Sequence, residues 1–167
     1  MRTPTYSVLV LVVLSTFYAT GQQRNQTTMR ELTRPAGVIF VGRVKSVQYL
    51  PAGNSTHVAT FRIRFQVEQG LRGARSGRVL TIRQWAGLWD QGERFRPGER
   101  LLLFLYPSSK LGLSSPVGGA RGRFALDRGG QVLLGMERAA LFNDGSHVTR
   151  NRVPLKEFVS RLRQEEE

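Results

Sequence analysis

The segment Phe61-Arg62-Ile63-Arg64-Phe65-Gln66-Val67-Glu68 alternates apolar and polar side chains without a fault. Successive side chains of a β-strand point to opposite faces of the sheet, so a period of two sets Phe61, Ile63, Phe65 and Val67 against a core and the polar set in water. A helix would scatter both sets around its axis. The same reading extends along the chain. Gly37 to Val47 is rich in β-branched residues and predicts a long first strand, with Gly42 at a bend or bulge. Val79 to Trp85 predicts a third strand, hairpin-paired with the second across a basic, glycine-punctuated turn from Gly70 to Gly77. Pro97-Gly98-Glu99-Arg100 is a tight turn: Pro fixes φ and Gly takes the position where φ turns positive. It launches Leu101 to Tyr106, which shows no polar alternation. Both faces of that strand should be covered, as in a central strand stopped by Pro107. Asp127-Arg128-Gly129-Gly130 predicts a hairpin turn between Arg123–Leu126 and Val132–Leu134.

The end of the chain changes period. Leu155, Phe158, Val159 and Leu162 recur at helical spacing on one face, and Pro154 suits the first helical position. Burying those four would contribute roughly 1.5 to 3 kcal/mol each as an upper estimate, so the helix should dock on the β body. Five or six strands and a capping helix, with no alternation of strand and helix, predict a mainly β fold, a small barrel or sandwich. The expected domain covers residues 36–167, with its amphipathic helix at about 154–165.

The N-terminus reads as an export signal. Met1-Arg2 precedes the apolar run Val8 to Leu14, and Ala19-Thr20-Gly21 offers a small-residue cleavage site, so residues 1–21 are expected to be removed. The apolar run is too short to span a bilayer. Residues 22–35 are polar with no apolar period, which predicts a flexible leader with order beginning near Ala36. The sequence contains no cysteine, so no disulfide compensates for a poor core. Export without cysteine fits a bacterial periplasmic or extracellular setting. The net charge of +13 favours polyanions: nucleic acid, acidic glycans or an anionic surface. The plain alternative is a bias that places arginine wherever a solvated charge is needed.

Three stretches together carry a resemblance: Ala36 to Val44, Val67-Glu68-Gln69-Gly70-Leu71-Arg72-Gly73, and Phe95 to Leu105. They resemble secreted bacterial proteins distantly similar to the netrin-like module of tissue metalloproteinase inhibitors. That resemblance covers roughly residues 36–134 and implies a five- to six-stranded OB-type barrel with C-terminal helical decoration. The inhibitors grip zinc through an N-terminal cysteine, which this chain lacks, so an inhibitor here would work by another mechanism.

Catalytic and metal-binding chemistry finds few residues to work with. His57 and His147 are the only histidines, and neither has a second ligand at metal-site spacing, so no metal or cofactor is expected. Asp144, Ser146 and His147 are too close in sequence to form a nucleophile, base and orienter among themselves. The glycine stretches match neither the phosphate-loop nor the dinucleotide pattern. Two features point to binding. With the first three strands adjacent, Arg43, Lys45, Arg62, Arg64 and Arg83 should project from the outer side of one sheet, opposite Val44, Ile63 and Ile82. Trp85 and Trp89 stand at the end of the third strand, placed to stack on sugars or bases, or alternatively to plug the end of a barrel. The expectation is a non-enzymatic exported binding domain of unknown partner. Its alternatives are a polyanion binder using those seven residues, a protease inhibitor-like module, and an enzyme of unknown type.

Overall fold

The computed structural model describes residues 28–53, 58–90, 94–135, 139–142 and 151–165. The expected export segment, His57, and the Asp144, Ser146 and His147 group lie outside them. Among the described residues the fold is mainly β. A short helix α1 (Met29–Thr33) leads into strands β1 (Val38–Leu50), β2 (Thr60–Arg72) and β3 (Val79–Trp85). A single turn α2 (Gly87–Asp90) then precedes β4 (Arg100–Leu105), β5 (Arg123–Ala125), β6 (Gln131–Leu133), β7 (Arg152–Pro154) and the helix α3 (Leu155–Gln164). The sheet order is β3-β2-β1-β4-β5, all neighbours antiparallel, with β6 and β7 forming a separate ribbon.

Alternation along the strands feeds two cores, one on each side of this sheet. In β1, Ile39 and Val41 join a cluster with Leu102, Phe104, Phe124, Val132, Val153, Phe158 and Leu162. Phe40 and Val44 point the other way, to Ile63, Phe65, Val67, Ile82, Phe95, Leu101, Leu103 and Leu105. Strand β4 therefore supplies both clusters, and Leu101 to Leu105 are all buried, as its unbroken apolar run predicts. The first cluster is roofed by α1, α3 and the β6-β7 ribbon, with Leu141 and Phe142. Gly42 sits at a register shift between β1 and β2. A Cβ there would lie 2.7 Å from the Gln66 carbonyl oxygen and 2.9 Å from the Phe40 ring.

The expected closed barrel is not formed; the five strands make an open sheet. Its outer strand β3 meets the loop after β4 at one point. Leu113 makes an isolated parallel bridge with Arg83, and the Ser114 N–H donates to the Arg83 carbonyl at 2.8 Å. Pro107 and Pro116 lack an N–H, and Gly112 turns with φ of +69°, so the 107–116 segment cannot sustain a ladder there.

Four local expectations are also corrected. Residues 28–35 are ordered, because Thr28 and Glu31 form a reciprocal capping box and Met29 and Leu32 are buried in the first core cluster. Strand β2 continues through Gly70 to Arg72, whose guanidinium donates to the carbonyls of Thr33 at 2.6 Å and Ala36 at 2.9 Å; the chain turns only at Gly73, with φ of +63°. Pro154 caps the helix from outside, in an extended conformation with φ −54° and ψ 136°, since it still pairs with Gln131 in the ribbon. The turn at Asp127–Gly130 reverses the chain, with the Asp127 carboxylate accepting from the Gln131 N–H at 2.9 Å. Its flanking strands then part: β5 pairs with β4, β6 pairs with β7, and one bridge, Leu126 to Val132, joins them.

Candidate functional site: a basic face on three strands

Cross-strand register turns the outer side of β1, β2 and β3 into a grid. Gln48, Arg62 and Arg83 are aligned across the three strands, and so are Ser46, Arg64 and Thr81. Arg43, Gln66 and Val79 form a further row, and Leu50, Thr60 and Trp85 close the far end. Lys45 occupies the register shift between Val44 and Ser46, where two residues of β1 face one of β2. Lys45, Arg62 and Arg64 are exposed and Arg83 is half-buried. On the opposite side of the same strands, Val44, Ile63, Phe65 and Ile82 are buried. The structure therefore brings the five basic candidates onto one sheet face.

Their electrostatic surroundings differ. Arg43 leans toward the edge of the face: its guanidinium donates to the Gly98 carbonyl at 3.1 Å, and its Nε lies 3.8 Å from the Glu68 carboxylate. Glu68 is held more tightly by Arg100, at 2.6 Å. Farther along, the carboxylates stop. Arg62 donates only to the neutral Gln48 side chain, at 3.4 Å. Among the described residues no carboxylate forms an ion pair with Lys45, Arg62, Arg64 or Arg83. Arg62 and Arg83 stand directly opposite each other on adjacent strands, an arrangement that is destabilising for like charges. The Arg83 Nε is buried and has no hydrogen-bond acceptor, and neither does the buried Thr60 hydroxyl, one row away.

The two tryptophans separate. Trp85 falls on the basic face, two residues beyond Arg83 and paired with Thr60, and is 46% exposed. A Cβ on Gly87 would run into its indole, so the ring packs closely over this glycine and a side chain there would displace it. Trp89 turns to the other side, where it stacks on Phe61 with ring centroids 3.7 Å apart and packs against the second core cluster. Its indole N–H donates to the buried Gln84 side chain at 3.0 Å. Trp89 plugs the end of the core and is not part of the basic face. Gln84 was not singled out by the sequence, although a glutamine at an inward position of an alternating strand marks a buried polar partner.

At one cleft away from this face the cation is paired internally. A cleft of about 380 Å³ is lined by Phe95, Leu101, Pro116 and Leu134, with Glu99 and Arg123 at its polar end. Those two form an ion pair at 2.6 Å, and the Arg123 guanidinium lies 4.5 Å from the centre of the Phe95 ring. Among the described residues no three His, Cys, Asp or Glu side chains gather around a metal-sized space, and no helix is long and apolar enough to cross a membrane. In comparisons with known proteins, the chain matches no protein-family model and no curated protein.

Proposed function

We propose that this chain is a non-enzymatic, exported binding domain that holds a polyanion across the outer face of β1, β2 and β3. The observation that carries the reading is Arg62 standing opposite Arg83 with no carboxylate partner for either among the described residues. A solvated face needs polarity, which Ser46, Gln48, Gln66 and Thr81 supply in the same grid. It does not need facing cations, whose repulsion an anionic chain laid across the strands would relieve. Lys45, Arg62, Arg64 and Arg83 are the binding residues, and Arg43 contributes less because Glu68 sits beside it. Export rests on the sequence pattern of residues 1–21. The netrin-like, OB-type relation is likewise a proposal, supported by β1 lying between β2 and β4 and by the parallel bridge from Arg83 to Leu113.

The test is affinity of the mature domain for a heparin dodecasaccharide as salt is varied. Four cations that each neutralise one anionic group give a slope of log K against log [salt] of about −3, using the coefficient for flexible single chains, or roughly 50-fold weaker binding at 200 mM than at 50 mM salt. Replacing Arg62 and Arg64 by Glu should weaken binding further. A flat salt dependence, or an unchanged affinity in the double variant, rejects the reading.

A further inference from the structure

We infer that the polyanion is a single-stranded nucleic acid, with Trp85 as the platform on which one base stacks; this rests on the polyanion reading of the same face. The argument begins with the ring. Trp85 ends β3 on the basic side, supported beneath by Gly87, and 46% of the residue remains in solvent. A flat aromatic surface held on one side and wet on the other suits a ligand that brings its own aromatic rings. Sulfated sugars bring charge without them. Each nucleobase has a π-face, and stacking on an aromatic side chain is tolerant of base identity.

The cations lie where the phosphates of such a strand would fall. Arg83 precedes Trp85 by one step on the same face of β3, and Arg62 stands opposite Arg83 on β2, followed by Arg64 on that face. Same-face residues along a strand are about 6.8 Å apart, and neighbouring strands about 4.8 Å. A base on Trp85 thus places its phosphate near Arg83 and Arg62, with the next one toward Arg64. A stacked duplex keeps its bases inside, whereas a single strand can turn a base outward onto the ring. The Arg83 Nε, buried without an acceptor, and the Thr60 hydroxyl, equally unpaired and directly across from Trp85, leave two polar groups unsatisfied beside the platform.

The experiment compares three polyanionic probes on the full mature chain: a thymidine 12-mer, an abasic phosphodiester 12-mer of the same charge, and the more highly charged heparin dodecasaccharide, each scored by its own change between parent and variant. Trp85→Ala should weaken the thymidine 12-mer by between about 5- and 150-fold, the range for losing one stacked base, while changing the other two by less than 2-fold. Trp85→Phe should restore most of the loss. In the Trp89→Phe background Trp85 is the remaining tryptophan, and its fluorescence should be quenched by the thymidine 12-mer and not by heparin. Equal affinity for abasic and thymidine strands, or no effect of Trp85→Ala, overturns the inference and leaves a glycan-type polyanion as ligand. Absence of binding to all three probes brings down the polyanion reading itself, so the two failures are distinguishable.

Discussion

Truncating Phe158 to alanine tests whether the C-terminal helix is an integral roof or an appended decoration. Phe158 is fully buried, and its ring centre lies 5.1 Å from those of Phe124 and Phe142 and 6.3 Å from that of Phe104. Large-to-small changes at such sites cost about 3 to 5 kcal/mol, combining lost transfer energy and the cavity left behind. Three aromatic neighbours, each pair worth about 0.5 to 1.5 kcal/mol beyond area alone, place this position toward the upper end. Set against a total stability of about 5 to 15 kcal/mol for a domain of this size, the variant should be severely weakened but still foldable. In urea titrations followed by circular dichroism the midpoint should fall with an unchanged slope, and Tm should drop by roughly 10 to 20 °C. Phe158→Leu, which keeps most of the apolar volume but gives up the ring contacts, should cost less than the alanine variant and more than a volume-conserving swap. Leu111, 72% exposed, supplies the control, and its alanine variant should stay within about 0.5 kcal/mol of the parent. If Phe158→Ala costs less than about 1 kcal/mol, α3 does not seal the first core and the roofed-sheet account is wrong.

Two further changes probe backbone and polar packing. Gly42→Ala forces a methyl to within 2.7 Å of the Gln66 carbonyl and against the Phe40 ring, and should destabilise by about 1 to 3 kcal/mol in the same urea assay; a neutral result means the bulge can relax. Thr60→Val removes a buried hydroxyl with no partner while keeping the side-chain shape, and should stabilise by about 1 kcal/mol. A loss of stability there would reveal a hydrogen bond that Thr60 makes in solution.

Most of the sheet was legible because its strands obey one period. The alternation in β2 sets Ile63, Phe65 and Val67 inward, the unbroken run of β4 marks burial on both faces, and Leu155, Phe158, Val159 and Leu162 define α3. What failed to read did so for physical reasons. The capping signal Thr28-Met29-Arg30-Glu31 lies in sequence that is otherwise polar, and its two buried side chains are too few to show a period. Closure of a barrel depends on how the loop after β4 meets β3, a contact distant in sequence that no local pattern encodes. For the candidate site, register placed the five basic residues together as alternation predicts. The tryptophans share no strand, and α2 turns Trp89 away to meet Phe61 and Gln84 while Trp85 stays with the arginines.

The basic face owes its existence to the limited reach of the roof. On β1, Ile39, Val41 and Arg43 share one side of the sheet, yet the first two are buried under the roof and the third is exposed. A helix of ten residues is about 15 Å long, so α3 spans at most about three strands spaced at 4.8 Å. From the five-stranded sheet its cluster takes buried side chains of β1, β4 and β5, with Leu71 at the end of β2 packed against it, while Lys45, Arg62 and Arg64 farther along stay exposed. Solubility requires only that this remainder be polar. Filling it with Lys45, Arg62, Arg64 and Arg83, two of them directly opposed, costs stability that glutamine or threonine would have spared. That cost falls on the part of the sheet that a ligand can reach and the roof cannot, which is why the facing cations, and not the cleft where Arg123 is already paired with Glu99, are the place to look for a partner.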